Sequence, residues 1–278
     1  MPSAHRRDCR VRGNLGRFNS VMCAACGDSN FAEALEIAMA GEQAVEISVV
    51  VPAYNEEQNI TALLERIKEI FEPLGRSFEV VMVDDGSTDK SLELLQEQKR
   101  SKLWLRIIAL DRHYGQTCAM SAGFKAACGA VIATLDADLQ NDPVEIPRLI
   151  EMLNGCDAVT GWRVKRADPW LRRVSTRIAN GVRNKLSGES IHDSACSLKV
   201  YKRKCLEGLT LYEGMHRFMP TLLKMRGFKV VEVPVSHHLR NAGKAKYGVW
   251  NRALRAFVDL LVVRWMKKRY IDYQAREL

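Results

Sequence analysis

Four apolar, β-branched runs recur along this chain, each separated from the next by room for one helix. They are VEISVVVPA, SFEVVMVDD, LWLRIIAL and AVIATLDAD. Between the first two, Asn59–Phe71 carries Ile60, Leu63, Leu64, Ile67 and Ile70 at helical spacing. Ser91–Lys102, capped by Thr88 or Asp89, and Thr117–Ala127 supply the next two helices. This alternation implies right-handed βαβ crossovers, hence parallel strands covered on both faces. The runs are nearly continuous in apolar residues, as strands buried on both faces are. The expected class is therefore α/β, a mostly parallel Rossmann-like sheet flanked by helices. A helix at Val144–Leu153, a short strand in CDAVTG and a strand-like SACSLKVYKR continue the pattern. A helix over Glu213–Arg226, bent at Pro220, and a strand in FKVVEVPVSHH complete it.

Ligands of such sheets bind beyond the carboxyl ends of the strands. Those ends read Pro52-Ala-Tyr54-Asn55-Glu56, Asp84-Asp85-Gly86-Ser87, Asp136-Ala137-Asp138 and Gly161-Trp162-Arg163. Asp136 and Asp138 are spaced i, i+2, which in a strand points both to one face. Mg²⁺ is commonly held by one or two carboxylates plus substrate phosphates, so this pair suits the pyrophosphate of a nucleotide. The alternative is that the two acids only cap the next helix. Asp142 before Pro143 is better placed for that job. Asp85 is able to accept hydrogen bonds from a base or ribose, and Gly86 lets backbone approach a ligand closely. No GxGxxG follows the first strand and no GxxxxGK[ST] occurs, which disfavours dinucleotide and P-loop sites.

Charge divides the chain. Of 42 Lys+Arg and 33 Asp+Glu, residues 1–162 hold 16 and 24, and residues 163–278 hold 26 and 9. A basic second half fits a polyanionic partner: nucleic acid, acidic lipid or a phosphorylated substrate. Trp170–Leu186 reads as a basic helix with Arg172, Arg173, Arg177, Arg183 and Lys185. The loop LRNAGKAKYG joins three cations with two glycines, as a phosphate-binding lid requires, or forms an exposed turn. Val249–Arg269 mixes Trp250, Leu254, Phe257, Leu261 and Trp265 with Arg252, Arg255, Arg264, Lys267 and Lys268. It suits a helix in a membrane interface, or one packed on the domain or on a dimer partner. No apolar run reaches transmembrane length, and no apolar segment follows the N-terminal arginines, so neither a spanning helix nor a signal peptide is expected. The eight cysteines are scattered, and Cys118, Cys128 and Cys196 sit in apolar runs like reduced core thiols. Cys23 and Cys26 form one CxxC whose spacing with Cys9 and His5 matches no common zinc framework.

VVVPAYNEEQNI, EVVMVDDGSTDKS, GQTCAMSAGFKAACGAVIATLDADLQNDPVEIP and HLRNAGKAKYG together resemble the inverting family 2 glycosyltransferases. The branch resembled is the dolichyl/polyprenyl-phosphate sugar synthases, over about Ile47 to Trp265. The resemblance implies a GT-A type fold, a UDP- or GDP-linked sugar donor, Mg²⁺ or Mn²⁺, and a membrane polyprenyl phosphate as acceptor. It implies that Pro52, Tyr54, Glu56, Val83 and Asp85 bind base and ribose. It implies that Asp136, Ala137, Asp138 and Gln140 hold metal and pyrophosphate, with Asp136, Asp138 and Gln140 as the metal set. Arg163, Arg240 and Lys246 would hold donor or acceptor phosphate. Arg172 and Thr176 resemble the acceptor-phosphate pair, although the family usually has serine where Thr176 stands. Asp136, Asp138, Arg163 and Arg240 are the expected catalytic groups. Leu261-Val-Val-Arg264-Trp265 lacks the glutamine of the processive members' QxxRW. Many bacterial relatives add C-terminal transmembrane helices; here attachment is expected to be peripheral, on the cytoplasmic face, or through a membrane-protein partner or homo-oligomer.

The expected organisation is an N-terminal arm over 1–44, poorly ordered, then a transferase domain over 45–248 and an amphipathic helix and tail over 249–278. The transferase domain divides into a donor half (45–162) and an acceptor half (163–248). A phosphate acceptor is already anionic and needs neutralisation and in-line placement rather than a strong base. A saccharide or lipid hydroxyl, the alternative acceptor, would need a carboxylate base, for which Asp193 is the obvious candidate. A nucleic-acid-binding protein would need stacking aromatics among its cations or a docking motif, and neither is present. An enzyme that builds nucleotide-sugars would show a Gly-rich signature after the first strand, which PAYNEE is not.

Overall fold

A computed structural model of the chain describes residues 44–163, 191–193, 196–237 and 249–271, with backbone alone for 249–256. Val45–Leu278 forms one compact unit. Its strands are β1 (Ile47–Ala53), β2 (Phe78–Asp84), β3 (Leu105–Ala109), β4 (Val131–Thr134), β5 (Ala158–Arg163), β6 (Lys199–Lys202) and β7 (Val230–Val235). Its helices are α1 (Ile60–Phe71), α2 (Ser91–Lys99), α3 (Gln116–Ala126), α4 (Glu145–Glu151), α5 (Met219–Met225) and α6 (Val249–Arg269).

The strands form one seven-stranded sheet in the order β3-β2-β1-β4-β6-β5-β7. β1 pairs in parallel with β2 and β4, β2 with β3, and β5 with β7, while β6 runs antiparallel between β4 and β5. The mostly parallel α/β expectation therefore holds, with β6 as the reversed strand. The order turns at β1, whose two neighbours are β2 and β4; this is the switch point at which such sheets open a crevice.

Burial follows the sequence pattern. Val49, Val51, Val80 and Met82 pack with Leu63, Leu64 and Ile67 of α1 on one face. Val50, Val81 and Val83 pack with Ala119 of α3 on the other. Cys196 is buried but Cys118 is exposed, because it falls on the outer face of α3. That corrects the reading of Cys118 as a core thiol. The Glu79 carboxylate is buried near the amino end of the sheet and accepts from Ser48 Oγ at 2.5 Å and Arg106 Nη1 at 2.6 Å. Such charge-assisted bonds hold the framework.

Helix starts agree with the sequence except in detail. Asp89 Oδ1 accepts the Ser91 N–H at 2.9 Å, so Asp89 opens α2. Asp142 Oδ1 accepts the Val144 N–H at 3.0 Å in the turn that enters α4. Pro220 does not bend a single helix. It sits in the first turn of α5, where its missing N–H costs nothing, and a 3₁₀ turn over Met215–Phe218 precedes it. Leu260 and Val263 of α6 pack on Met215, Phe218 and Leu222. Among the described residues, no helix is long and apolar enough to cross a membrane.

Candidate functional site at the carboxyl edge of the sheet

The turn after β1 and the turn after β2 are stitched together. Asn55, at φ 51°, accepts the Thr88 N–H at 2.8 Å and donates its own N–H to Ser87 Oγ at 3.0 Å. The Glu56 N–H donates to Ser91 Oγ at 2.8 Å. PAYNEE is thus folded against DDGSTD, and Tyr54 and Asp85 come to the same edge. Val83 is fully buried, so only its main chain is available to a ligand there. Pro52 and Tyr54 are partly exposed.

Asp85 is buried, and its carboxylate holds the loop after β3. Oδ1 accepts the Tyr114 N–H at 2.8 Å; Oδ2 accepts the Gly115 N–H at 2.8 Å and lies 2.9 Å from His113 Nδ1. Any base or ribose contact at Asp85 is shared with this loop. His113 stacks on Tyr54, with ring centroids 3.9 Å apart. Gly86 has φ +67°, and a Cβ there would collide with the main chain of Arg112 and His113.

The two carboxylates after β4 differ from the strand-based expectation. Pairing ends at Thr134, which is matched with Val50 of β1 and Lys199 of β6. Asp136 and Asp138 lie beyond it, in a turn that passes through Leu139 at φ 57°. The alternation of a strand therefore does not place them. The turn does, and Asp138 Oδ1 tightens it by accepting the Gln140 N–H at 3.2 Å. Asp136 Oδ1 accepts from Gln116 Nε2 at 2.8 Å, which ties the turn to the first residue of α3. Burial and then the Asp138 charge push the Asp136 carboxyl up to about 6, against the opposing pull of Ser197, Lys199 and Arg163. Lys199 is buried, donates Nζ to the Cys196 carbonyl, and is held below the usual lysine range by that burial.

This donor set fits a divalent cation. Two hard carboxylates that repel each other lose both repulsion and burial cost when a cation joins them. Among the described residues no group of three or more His, Cys, Asp or Glu side chains forms a cage, so phosphates and water would complete the shell.

At the last residue of β5, Arg163 is engaged by Asp193 through Nε at 2.6 Å and Nη2 at 3.1 Å. Arg172, Thr176, Arg240 and Lys246 lie outside the described residues. Sequence reasoning missed His113, Gln116 and Ser197. Their signals were faint: a histidine and a glutamine either side of the Tyr114-Gly115 turn, and a serine just before β6. A recess of about 320 Å³ between α5 and α6 is lined by Lys224, Met225, Lys267 and Tyr270, none of them a strand-end residue.

Residues 48–210 match the family model described as Glycosyl transferase family 2. A dodecaprenyl-phosphate galacturonate synthase from Rhizobium johnstonii is 39% identical over 240 residues, covering 84% of this chain and 70% of that one. An undecaprenyl-phosphate 4-deoxy-4-formamido-L-arabinose transferase from Edwardsiella ictaluri is 39% identical over 206 residues, covering 73% of this chain and 63% of that one. Among solved structures, glucosyl-3-phosphoglycerate synthase from Mycobacterium tuberculosis, in complex with Mn²⁺, UDP and phosphoglyceric acid, aligns with a TM-score of 0.62 at 19% identity. That alignment covers 86% of this chain and 82% of the other. A mannosyltransferase from Pyrobaculum calidifontis, in complex with GDP-Man and Mn²⁺, aligns at 0.58 and 21% identity, covering 84% and 67%. These two likenesses concern the fold, whereas the family match spans more than half the chain together with the carboxyl-edge turns. The chain belongs to glycosyltransferase family 2.

Proposed function

We propose that this chain transfers a sugar from a UDP- or GDP-linked donor to a polyprenyl phosphate, with inversion at the anomeric carbon. One observation carries the reading. The Asp136–Ala137–Asp138 turn stands at the sheet's switch point in a family 2 chain whose curated relatives at 39% identity are named for polyprenyl-phosphate acceptors.

The donor pyrophosphate is assigned to Asp136 and Asp138, with Gln140 as a further ligand of the cation. When bound there, Mg²⁺ or Mn²⁺ supplies Lewis-acid stabilisation of the leaving diphosphate. Gln116 fixes the orientation of Asp136. Tyr54 and Asp85 sit where base and ribose are assigned, with Pro52, Glu56 and the main chain of Val83 beside them. Arg163, Arg172 and Thr176 are assigned to the acceptor phosphate, and Arg240 and Lys246 to donor or acceptor phosphate oxygens. An anionic acceptor needs no carboxylate base. The one carboxylate considered for that role in the acceptor half, Asp193, is committed to Arg163.

The membrane reading rests on α6. Val258, Leu261, Val262 and Trp265 form an exposed apolar stripe at helical spacing, on the side away from Leu260 and Val263. Arg264 and Lys268 lie along one edge of it, and Arg269 follows at its C-terminal end. That face is assigned to the interface of an anionic membrane, with the enzyme peripheral on its cytoplasmic side.

The test is transfer from a panel of UDP- and GDP-sugars, with Mn²⁺ or Mg²⁺, to polyprenyl phosphate and to the matching free alcohol. Product with the phosphate and none with the alcohol is expected. Efficient transfer to a saccharide or lipid hydroxyl, with none to polyprenyl phosphate, overturns the reading.

A further inference from the structure

We propose that His113 is a nucleobase-stacking residue of the donor site, acting with Tyr54 as one aromatic platform. The inference rests on the nucleotide-sugar reading above and adds to it a residue from a different strand end.

The sheet order fixes where the base has to lie. The diphosphate is assigned to the Asp136–Asp138 turn after β4, and Arg163 stands at the end of β5, on the side of the sheet beyond β6. The nucleoside is left the other side, across the ends of β1, β2 and β3. At roughly 4.8 Å per strand, the end of β2 lies about 10 Å from that of β4, a span suited to a nucleoside reaching out from its phosphates.

At that place the chain presents two stacked rings. Tyr54 leaves β1 and His113 follows β3, and their rings lie at 24° to one another. Tyr54 is only partly buried and His113 is exposed. A stack serving the core would be enclosed, and this one stands at the ligand edge. The imidazole is also preset. Asp85 takes hold of Nδ1 and of the two following backbone N–H groups, and Gly86 packs against the main chain of Arg112 and His113. A flat ring held in advance loses little freedom when a base lies on it. Stacking accepts any base because every base has a π-face, so the platform serves uracil and guanine alike.

The rival role is structural, with His113 only pinning the loop. The experiment compares wild type, His113→Ala and His113→Phe. Calorimetry measures binding of UDP, GDP and inorganic pyrophosphate, each with Mn²⁺. His113→Ala should weaken the preferred nucleoside diphosphate about tenfold and leave pyrophosphate unchanged. His113→Phe keeps the π surface without the Asp85 contact and should recover most of that loss. The proposal is overturned if His113→Ala binds the nucleotide like wild type, if pyrophosphate weakens in parallel, or if phenylalanine recovers nothing. Should wild type bind pyrophosphate but neither nucleotide, the nucleotide-sugar reading fails and this inference goes with it.

Discussion

Arg163 and Asp193 clasp each other at the end of β5, with Nε to Oδ2 at 2.6 Å and Nη2 to Oδ1 at 3.1 Å. The side chains are only 15% and 8% exposed. Burial works against the guanidinium charge, yet Asp193 outweighs it and holds Arg163 above its ordinary range. Asp193 is itself steadied, since Glu232 accepts the N–H groups of His192 and Asp193 at 3.0 and 3.4 Å. An arginine held this way presents its remaining N–H groups in a fixed direction.

Breaking this pair from one side should be costly. Asp193→Ala leaves a largely buried guanidinium without its carboxylate and should destabilise the protein by about 3 kcal/mol. Removing both charges, as Arg163→Met with Asp193→Leu, should cost less than Asp193→Ala alone. Denaturant unfolding of both variants checks this. If the double variant is the less stable, the pair is not the interaction that matters there.

Asp136→Asn and Asp138→Asn should each abolish nearly all transfer by deleting one charge from the proposed cation site. Neither should lower the melting temperature in chelator, because each also removes a like-charge repulsion between the two carboxyls. Product formation and thermal unfolding with and without Mn²⁺ are the measurements. Wild-type transfer by either variant would contradict the assignment.

Gly86→Ala should destabilise by about 2 kcal/mol, since φ is +67° and the new methyl meets the main chain of the 112–113 loop. Nucleotide binding should fall with it, because that loop lies at the edge we assign to the base. Thermal unfolding and calorimetry on one preparation decide whether the two losses travel together.

Trp265→Glu with Leu261→Glu should reduce binding to anionic vesicles severalfold and leave the melting temperature nearly unchanged, since both residues are exposed. Leu260→Asp, on the packed side of α6, should instead destabilise the protein. Vesicle binding should weaken with added salt as the attraction of the α6 cations is screened. Vesicle binding that ignores the first pair of substitutions would mean the stripe faces something other than lipid.

By itself the sequence determined the sheet. Continuous β-branched runs cannot be satisfied by a half-exposed sheet, and the helical spacing of Ile60, Leu63, Leu64 and Ile67 left one place for α1 to lie. It also determined which acids reach the carboxyl edge, because strand ends are local. Its account of Asp136 and Asp138 was right in place and wrong in geometry. Pairing partners, not propensity, stop β4 at Thr134, and those partners come from Val50 and Lys199, far along the chain. The reversed strand β6 was equally hidden, since a run of four residues carries no direction. The stack of Tyr54 on His113, the hold of Gln116 on Asp136 and the clasp of Arg163 by Asp193 each join residues at least 20 positions apart. No local pattern encodes such pairs. They arise when parallel strands, each returned by a helix, bring the loops after them to one edge.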